Sequence, residues 1–219
     1  SDINVLFHYD GEYHFFSQHC PAGPGLDYPN TYWGHAVSRD LIHWEELPLA
    51  LVPDSLGTMF SGSAVIDYEN TSGFGKDGIP PLVAVYTVDS PDNERQCIAW
   101  SLDRGRTFTK YSGNPVIDSK EIWKTKDLRD PHVFWYKPGG FWVMVLYEKD
   151  GNSIYSSSDL KAWEYQSHTP GFFECPQLFE LPVDGNKKNM KWVMYGASGT
   201  YMTGSFNGKV FTPEAGKYY

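Results

Sequence analysis

Apolar and polar positions alternate over short runs in this chain, and no window carries an apolar stripe at the helical period. The pattern predicts strands and tight turns. Residues 5–18 read as two aromatic-rich strands around Asp10-Gly11, a dipeptide that accepts the positive φ angles of a hairpin turn. A loop rich in Pro and Gly follows over residues 21–30, and residues 33–44 then read as a strand, a turn and a closing aromatic.

That last pattern recurs. Ser38-Arg39-Asp40-Leu41-Ile42-His43-Trp44 is echoed by Ser101-Leu102-Asp103-Arg104-Gly105-Arg106-Thr107-Phe108, by Ser158-Asp159-Leu160-Lys161-Ala162-Trp163 and by Ser205-Phe206-Asn207-Gly208-Lys209-Val210-Phe211. The turn residues Asp40, Asp103, Asp159 and Asn207 stand 63, 56 and 48 positions apart. A period near 50 with several short strands per unit is what a β-propeller produces. Each unit then ends in a hairpin whose Asp or Asn makes the turn and whose aromatic packs between blades. The fold class expected is all-β, a five-bladed β-propeller with about four blades in this chain. The blades are placed at residues 1–50, 51–113, 114–170 and 171–219, with the ring incomplete at its C-terminal side.

Composition agrees: aromatics make up 16% of the 219 residues, alongside 21 Gly and 15 Pro, a mixture suited to strands and turns. The formal charge of −9 argues against nucleic acid or an anionic membrane as partner. Cys20, Cys97 and Cys175 are odd in number and far apart, which suggests neither a disulfide framework nor a metal site. The seven histidines are likewise unclustered, so no metal or other cofactor is expected. Asn70-Thr71-Ser72 is a glycosylation sequon.

Candidate chemistry follows from the topology, because a propeller aims its innermost strands at one axial funnel. Three acids fall on candidate inner strands: Asp2, Asp130 in Leu128-Arg129-Asp130-Pro131, and Glu174 in Phe172-Phe173-Glu174-Cys175-Pro176. Glu174 is set among apolar residues, a setting that disfavours the charged form and suits a general acid. Arg129 beside Asp130 would hold a carboxylate ionised or bind hydroxyls. Two carboxylates are the minimum for cleaving a glycosidic bond.

These residues carry a family resemblance. Tyr32-Trp33-Gly34-His35-Ala36-Val37-Ser38, Phe60-Ser61-Gly62-Ser63, Arg129-Asp130-Pro131 and Glu174-Cys175-Pro176 resemble, in order and approximate spacing, motifs of the β-fructosidases of glycoside hydrolase family 32. The likeness spans essentially the whole chain. It implies a five-bladed propeller, followed in the family by a β-sandwich that this chain lacks, and retaining hydrolysis of terminal β-D-fructofuranosyl units from sucrose or fructans. By the resemblance, Glu174 is the acid/base, and Asp130 binds fructose hydroxyls and stabilises the transition state, oriented by Arg129. Gln18, Trp33, Phe60 and Ser61 are assigned to the fructose pocket. The family's Asn-Asp-Pro-Asn-Gly opening falls on Ser1-Asp2-Ile3-Asn4-Val5, which keeps the Asp and the second Asn. That makes Asp2 the nucleophile, expected about 5–5.5 Å from the acid/base. The sugar-stacking Trp that the family usually places about eight residues after Gln18 is replaced by the region of Leu26, Asp27 and Tyr28.

The alternative reading is a propeller that binds fructosides without cleaving them, because its nucleophile motif is degenerate. A related propeller glycosidase acting on arabinose polymers fits the Phe60-Ser61-Gly62 and Glu174-Cys175-Pro176 motifs less well. The partner expected is a small carbohydrate, with oligomeric state open, and the substrate class points to an extracellular or periplasmic location.

Overall fold

In a computed structural model of the chain, residues 3–21, 23, 30–118, 125–215 and 217–219 are described. They contain strands and turns and no helix. The strands form four antiparallel sheets in which strand order follows chain order. The first sheet comprises β1 (Ile3–Tyr9), β2 (Glu12–His19), β3 (Tyr32–Ser38) and β4 (Trp44–Leu51). The second holds β5 (Thr58–Ile66), β6 (Leu82–Ser90), β7 (Asn93–Ser101) and β8 (Thr109–Lys110), with β9 (Ile117–Asp118) also paired to β7. The third comprises β10 (Leu128–Tyr136), β11 (Phe141–Glu148), β12 (Gly151–Ser157) and β13 (Glu164–Pro170), and the fourth β14 (Gln177–Val183), β15 (Asn186–Tyr195), β16 (Tyr201–Phe206) and β17 (Phe211–Pro213). These are four blades of a β-propeller.

The recurring Asp or Asn turn joins the third and fourth strands of every blade. Asp40 Oδ1 accepts the N–H groups of Ile42 and His43, at 2.9 and 2.8 Å. Asp159 Oδ1 accepts those of Lys161 and Ala162, both at 2.9 Å, and Asn207 Oδ1 those of Lys209 and Val210, at 3.0 and 2.8 Å. Asp103 serves the same turn through Thr107 N–H at 2.9 Å. A short side-chain acceptor two residues upstream substitutes for a backbone partner, which is why Asp and Asn recur there. The expected interblade aromatic holds for Phe108, which meets Phe16 edge-on, and for Trp163, packed against the core shared by the second and third blades. Trp44 lies with Phe15 on the face of the first blade turned away from the second, since the adjacent Phe16 points into the core those two blades share. It is 40% exposed and donates its indole N–H to Leu41 O.

Three cores alternate with the four blades. Leu82, Ala84, Tyr86 and Val88 of β6 pack with Phe16, Trp33 and Leu51 of the first blade, while Val83 and Val85 pack with Leu128, Val133 and Met144 of the third. In β11, Trp142, Met144 and Leu146 face the second blade, and Val143 and Val145 face Phe172, Leu178 and Met194 of the fourth. Side chains alternate across a strand, so a strand sandwiched between blades is apolar at both odd and even positions. That accounts for the unbroken apolar runs of β6 and β11.

Candidate active site

The leading strand of each of the first three blades departs from regular register near its start. The β1–β2 ladder shifts between Ile3 and Val5, the β5–β6 ladder between Met59 and Gly62, and the β10–β11 ladder between Arg129 and His132. A bulge re-aims the side chains it carries. The residues inside these irregularities are Asn4, Phe60 with Ser61, and Asp130 with Pro131, three of the stretches that carry site candidates. β5 packs against both β1 and β10, which puts the three leading strands side by side.

Asp130 is buried, at 8% exposure, with φ of +62°. Its N–H donates to Thr87 Oγ1 at 3.0 Å, and its Oδ2 accepts the Cys175 N–H at 3.0 Å. Burial pushes the Asp130 carboxyl up to about 6 and the charge on Glu174 adds to the rise, against the Cys175 N–H and the Arg129 charge, which pull it down. Glu174 and Cys175 both lie in the left-handed region, at φ +47° and +43°. Consecutive non-glycine residues there cost roughly 1–2 kcal/mol apiece and mark functional sites when the surroundings impose them. Here the imposing contacts are Phe172, buried in the core, and the Cys175–Asp130 hydrogen bond.

Arg129 ties the group together. Its Nε and Nη2 donate to Glu174 Oε1 at 3.1 and 2.9 Å, and its Nη1 donates to both oxygens of Glu94 and to Asp127 Oδ1. The Tyr147 ring lies 4.9 Å from the guanidinium carbon. On the first and second blades, Gln18 Nε2 donates to Ser61 Oγ at 2.9 Å, and Gly62 lets the strand pass so close to β6 that a Cβ there would stand 2.1 Å from Val85 O.

The structure therefore gathers Arg129, Asp130 and Glu174, and separately Gln18 with Ser61 and its neighbour Phe60. It revises three expectations. Glu174 is not enclosed by apolar side chains: Phe173 turns outward at 48% exposure, and the Glu174 side chain is 35% exposed and ion-paired to Arg129. The hydrogen bonds of Arg129 go to Glu174 rather than to Asp130, whose carboxyl is held by the Cys175 backbone. Trp33 is wholly buried, its indole N–H donating to Phe60 O at 2.7 Å. Its ring is shared with the interblade core and offers no face to a ligand. Asp2 and the Leu26, Asp27 and Tyr28 region lie outside the described residues.

Sequence reasoning missed Glu94 and its neighbours. Glu94 is buried, its Oε2 accepts Leu128 N–H at 2.7 Å, and burial raises its carboxyl against that hydrogen bond and the Arg129 charge. Gln96 links Thr87 Oγ1 to Leu128 O, and Lys126 pairs with Asp89 at 3.2 Å. Asp92-Asn93-Glu94-Arg95 reads as a polar hairpin tip. The available signal was the register: Thr87 opposite Gln96 and Asp89 opposite Glu94 lie toward the polar end of a strand pair whose middle, Val83 to Tyr86 against Cys97 to Trp100, is apolar.

The described residues thus form four propeller blades, with an arginine that bridges acids from different blades. The chain belongs to glycosyl hydrolases family 32: the family model "Glycosyl hydrolases family 32 N-terminal domain" matches residues 1–218. Among its relatives, a levanase of Bacillus subtilis is 49% identical over 98% of this chain and 33% of its own length. An extracellular exo-inulinase of Aspergillus niger is 40% identical over 100% and 48%. The chain thus spans a third to a half of these curated relatives. Among solved structures, β-fructofuranosidase from Schwanniomyces occidentalis, complexed with fructosyl-erythritol, superposes with a TM-score of 0.88 at 37% identity, covering 99% of this chain and 46% of that one. Exo-inulinase from Aspergillus awamori gives 0.84 at 38%, covering 98% and 49%.

Proposed function

We propose that this chain supplies the propeller site of a retaining β-fructosidase that releases terminal β-D-fructofuranosyl units from sucrose or fructans. The observation that carries the reading is the Arg129 bridge, which holds Glu174 beside the buried Asp130. In this reading Asp2 attacks the anomeric carbon while Glu174 gives its proton to the departing glycosidic oxygen. Glu174 then takes a proton from the water that cleaves the fructosyl–Asp2 ester. Asp130 accepts hydroxyls of the fructosyl ring, and Gln18, Phe60 and Ser61 line its other side. Levanase, exo-inulinase and invertase relatives support the substrate class. A relative named as extracellular supports action outside the cell. The exposed Leu6 of β1 and Phe179 and Leu181 of β14 support a five-bladed ring closed by a further blade against those faces.

The test is fructose release from sucrose, inulin and levan by the complete protein and by Glu174→Gln. Turnover should fall by roughly two to four orders of magnitude in the variant, the usual worth of a general acid. Equal rates would assign proton donation elsewhere. Tight fructoside binding without release by the unaltered protein would favour a binding module instead.

A further inference from the structure

We propose that Glu94 is a positioning residue that fixes the Arg129 fork and, through it, the carboxylate of Glu174; this rests on the reading of Glu174 as acid/base. A guanidinium is planar, so fixing one of its nitrogens and its plane fixes the direction of the others. Arg129 Nη1 is held by Glu94, with both oxygens in reach at 3.2 and 3.1 Å, and by Asp127 at 2.9 Å. Nε and Nη2, the opposite edge, are the atoms that reach Glu174. The Tyr147 ring, centred 4.9 Å from the guanidinium carbon, packs against the fork.

The two carboxylates on Nη1 are not equivalent. The Asp127 side chain is 51% exposed, where water and salt screen its pull, whereas that of Glu94 is 5% exposed. Glu94 also acts on the backbone. Its Oε2 accepts the Leu128 N–H at 2.7 Å, and Leu128 immediately precedes Arg129, the last residue in register before the Asp130-Pro131 irregularity. One buried carboxylate on the second blade therefore sets both the guanidinium and the strand that carries Asp130. The groups facing this cluster are Asp89 and Lys126 beside Glu94, with Asp127, Tyr147, Asp130 and Glu174 around Arg129.

Glu94→Gln in the complete protein tests this. Glutamine keeps an acceptor for Leu128 N–H but removes the negative charge and one of the two oxygens facing Nη1. The guanidinium is then free to shift. A displacement near 1 Å costs about a hundredfold in rate, so kcat for sucrose should fall by roughly ten- to a hundredfold with KM changed less than threefold. The alkaline limb of the kcat/KM profile should move to lower pH, because the charge of Arg129 is no longer shared with Glu94. Glu94→Asp keeps the charge while retracting it by one methylene. It should lose part of kcat and keep the limb where the unaltered protein has it. Asp127→Asn should change kcat less than threefold.

A crystal structure of Glu94→Gln provides the readout that needs no turnover, with the Arg129 Nη2 to Glu174 contact expected to open. An unchanged contact would overturn the proposal. So would an unchanged pH profile with kcat intact, or an equal loss from Asp127→Asn. Failure of the unaltered protein to release fructose would remove the functional reading, and the crystallographic comparison would still decide the role of Glu94.

Discussion

Asp130 concentrates the conflict between stability and site. Its carboxyl titrates at about 6 where an ordinary aspartate titrates at 3.8, chiefly because it is buried. A raised acid binds its proton more tightly in the folded chain than in the unfolded one. Below 3.8 both states are protonated and the burial of this group is free of charge cost. As pH rises through 6 the folded carboxyl ionises in a place that disfavours the charge, and stability declines by up to about 3 kcal/mol from this residue. Asp130→Asn keeps an acceptor for the Cys175 N–H and removes the charge. The variant should be more stable than the parent at pH 8, with the advantage vanishing by pH 3.5. Urea midpoints at both pH values check this, and an advantage of equal size at both would exclude ionisation as its source.

At the scale of the element, a local irregularity in the leading strand does what the regular ladder does not. β5 leaves register between Met59 and Gly62, and the carbonyl of Val85 occupies the space where a side chain at position 62 would begin. Gly62 is thus required by close approach, and its neighbour Ser61 is held by Gln18. Gly62→Ala must push β5 away from β6, an overpacking that costs about 1–3 kcal/mol. It should also weaken fructoside binding, because Phe60 and Ser61 move with the strand. Thermal unfolding and sugar titration measure the two effects. An unshifted melting temperature would show that the strands have room to separate.

For the whole molecule, the blades cohere through interblade cores pinned by a few part-buried polar contacts. Trp33 of β3 gives its indole N–H to the Phe60 carbonyl of the next blade, and Trp142 of β11 gives its own to Thr71 Oγ1 of the preceding one. Trp33→Phe removes the donor while keeping an aromatic ring, so it should lower stability by about 1–3 kcal/mol. The effect on fructose release should be smaller than for any substitution at Glu174, because Trp33 acts on the pocket only through the strand that carries Phe60. Denaturant midpoints and sucrose kinetics on the same variant separate the contributions. A kinetic loss without a change in midpoint would return Trp33 to the pocket wall.

Features set by neighbours along the chain are readable from residue order alone. The turn at Asp40, Asp103, Asp159 and Asn207 was legible because a short side-chain acceptor closes it locally, and its repetition gave the blades. Strand type followed from apolar patterning, and the ordered motifs around Arg129, Asp130 and Glu174 gave the family. Features set by groups brought together across blades emerge only when the chain folds. Whether an aromatic faces a core or a ligand is set by the blade packed upon it, and so the pocket role expected of Trp33 gives way to a place in the interblade core. Glu94 looked like part of a hairpin tip because its partners lie 34 and 35 positions away, at Leu128 and Arg129. Phe172 and Phe173 give Glu174 an apolar setting along the chain, yet Glu174 stands at positive φ in the link between β13 and β14, and its carboxylate pairs with an arginine on another blade. Charge pairing and burial are properties of folded surroundings, and sequence adjacency fixes neither.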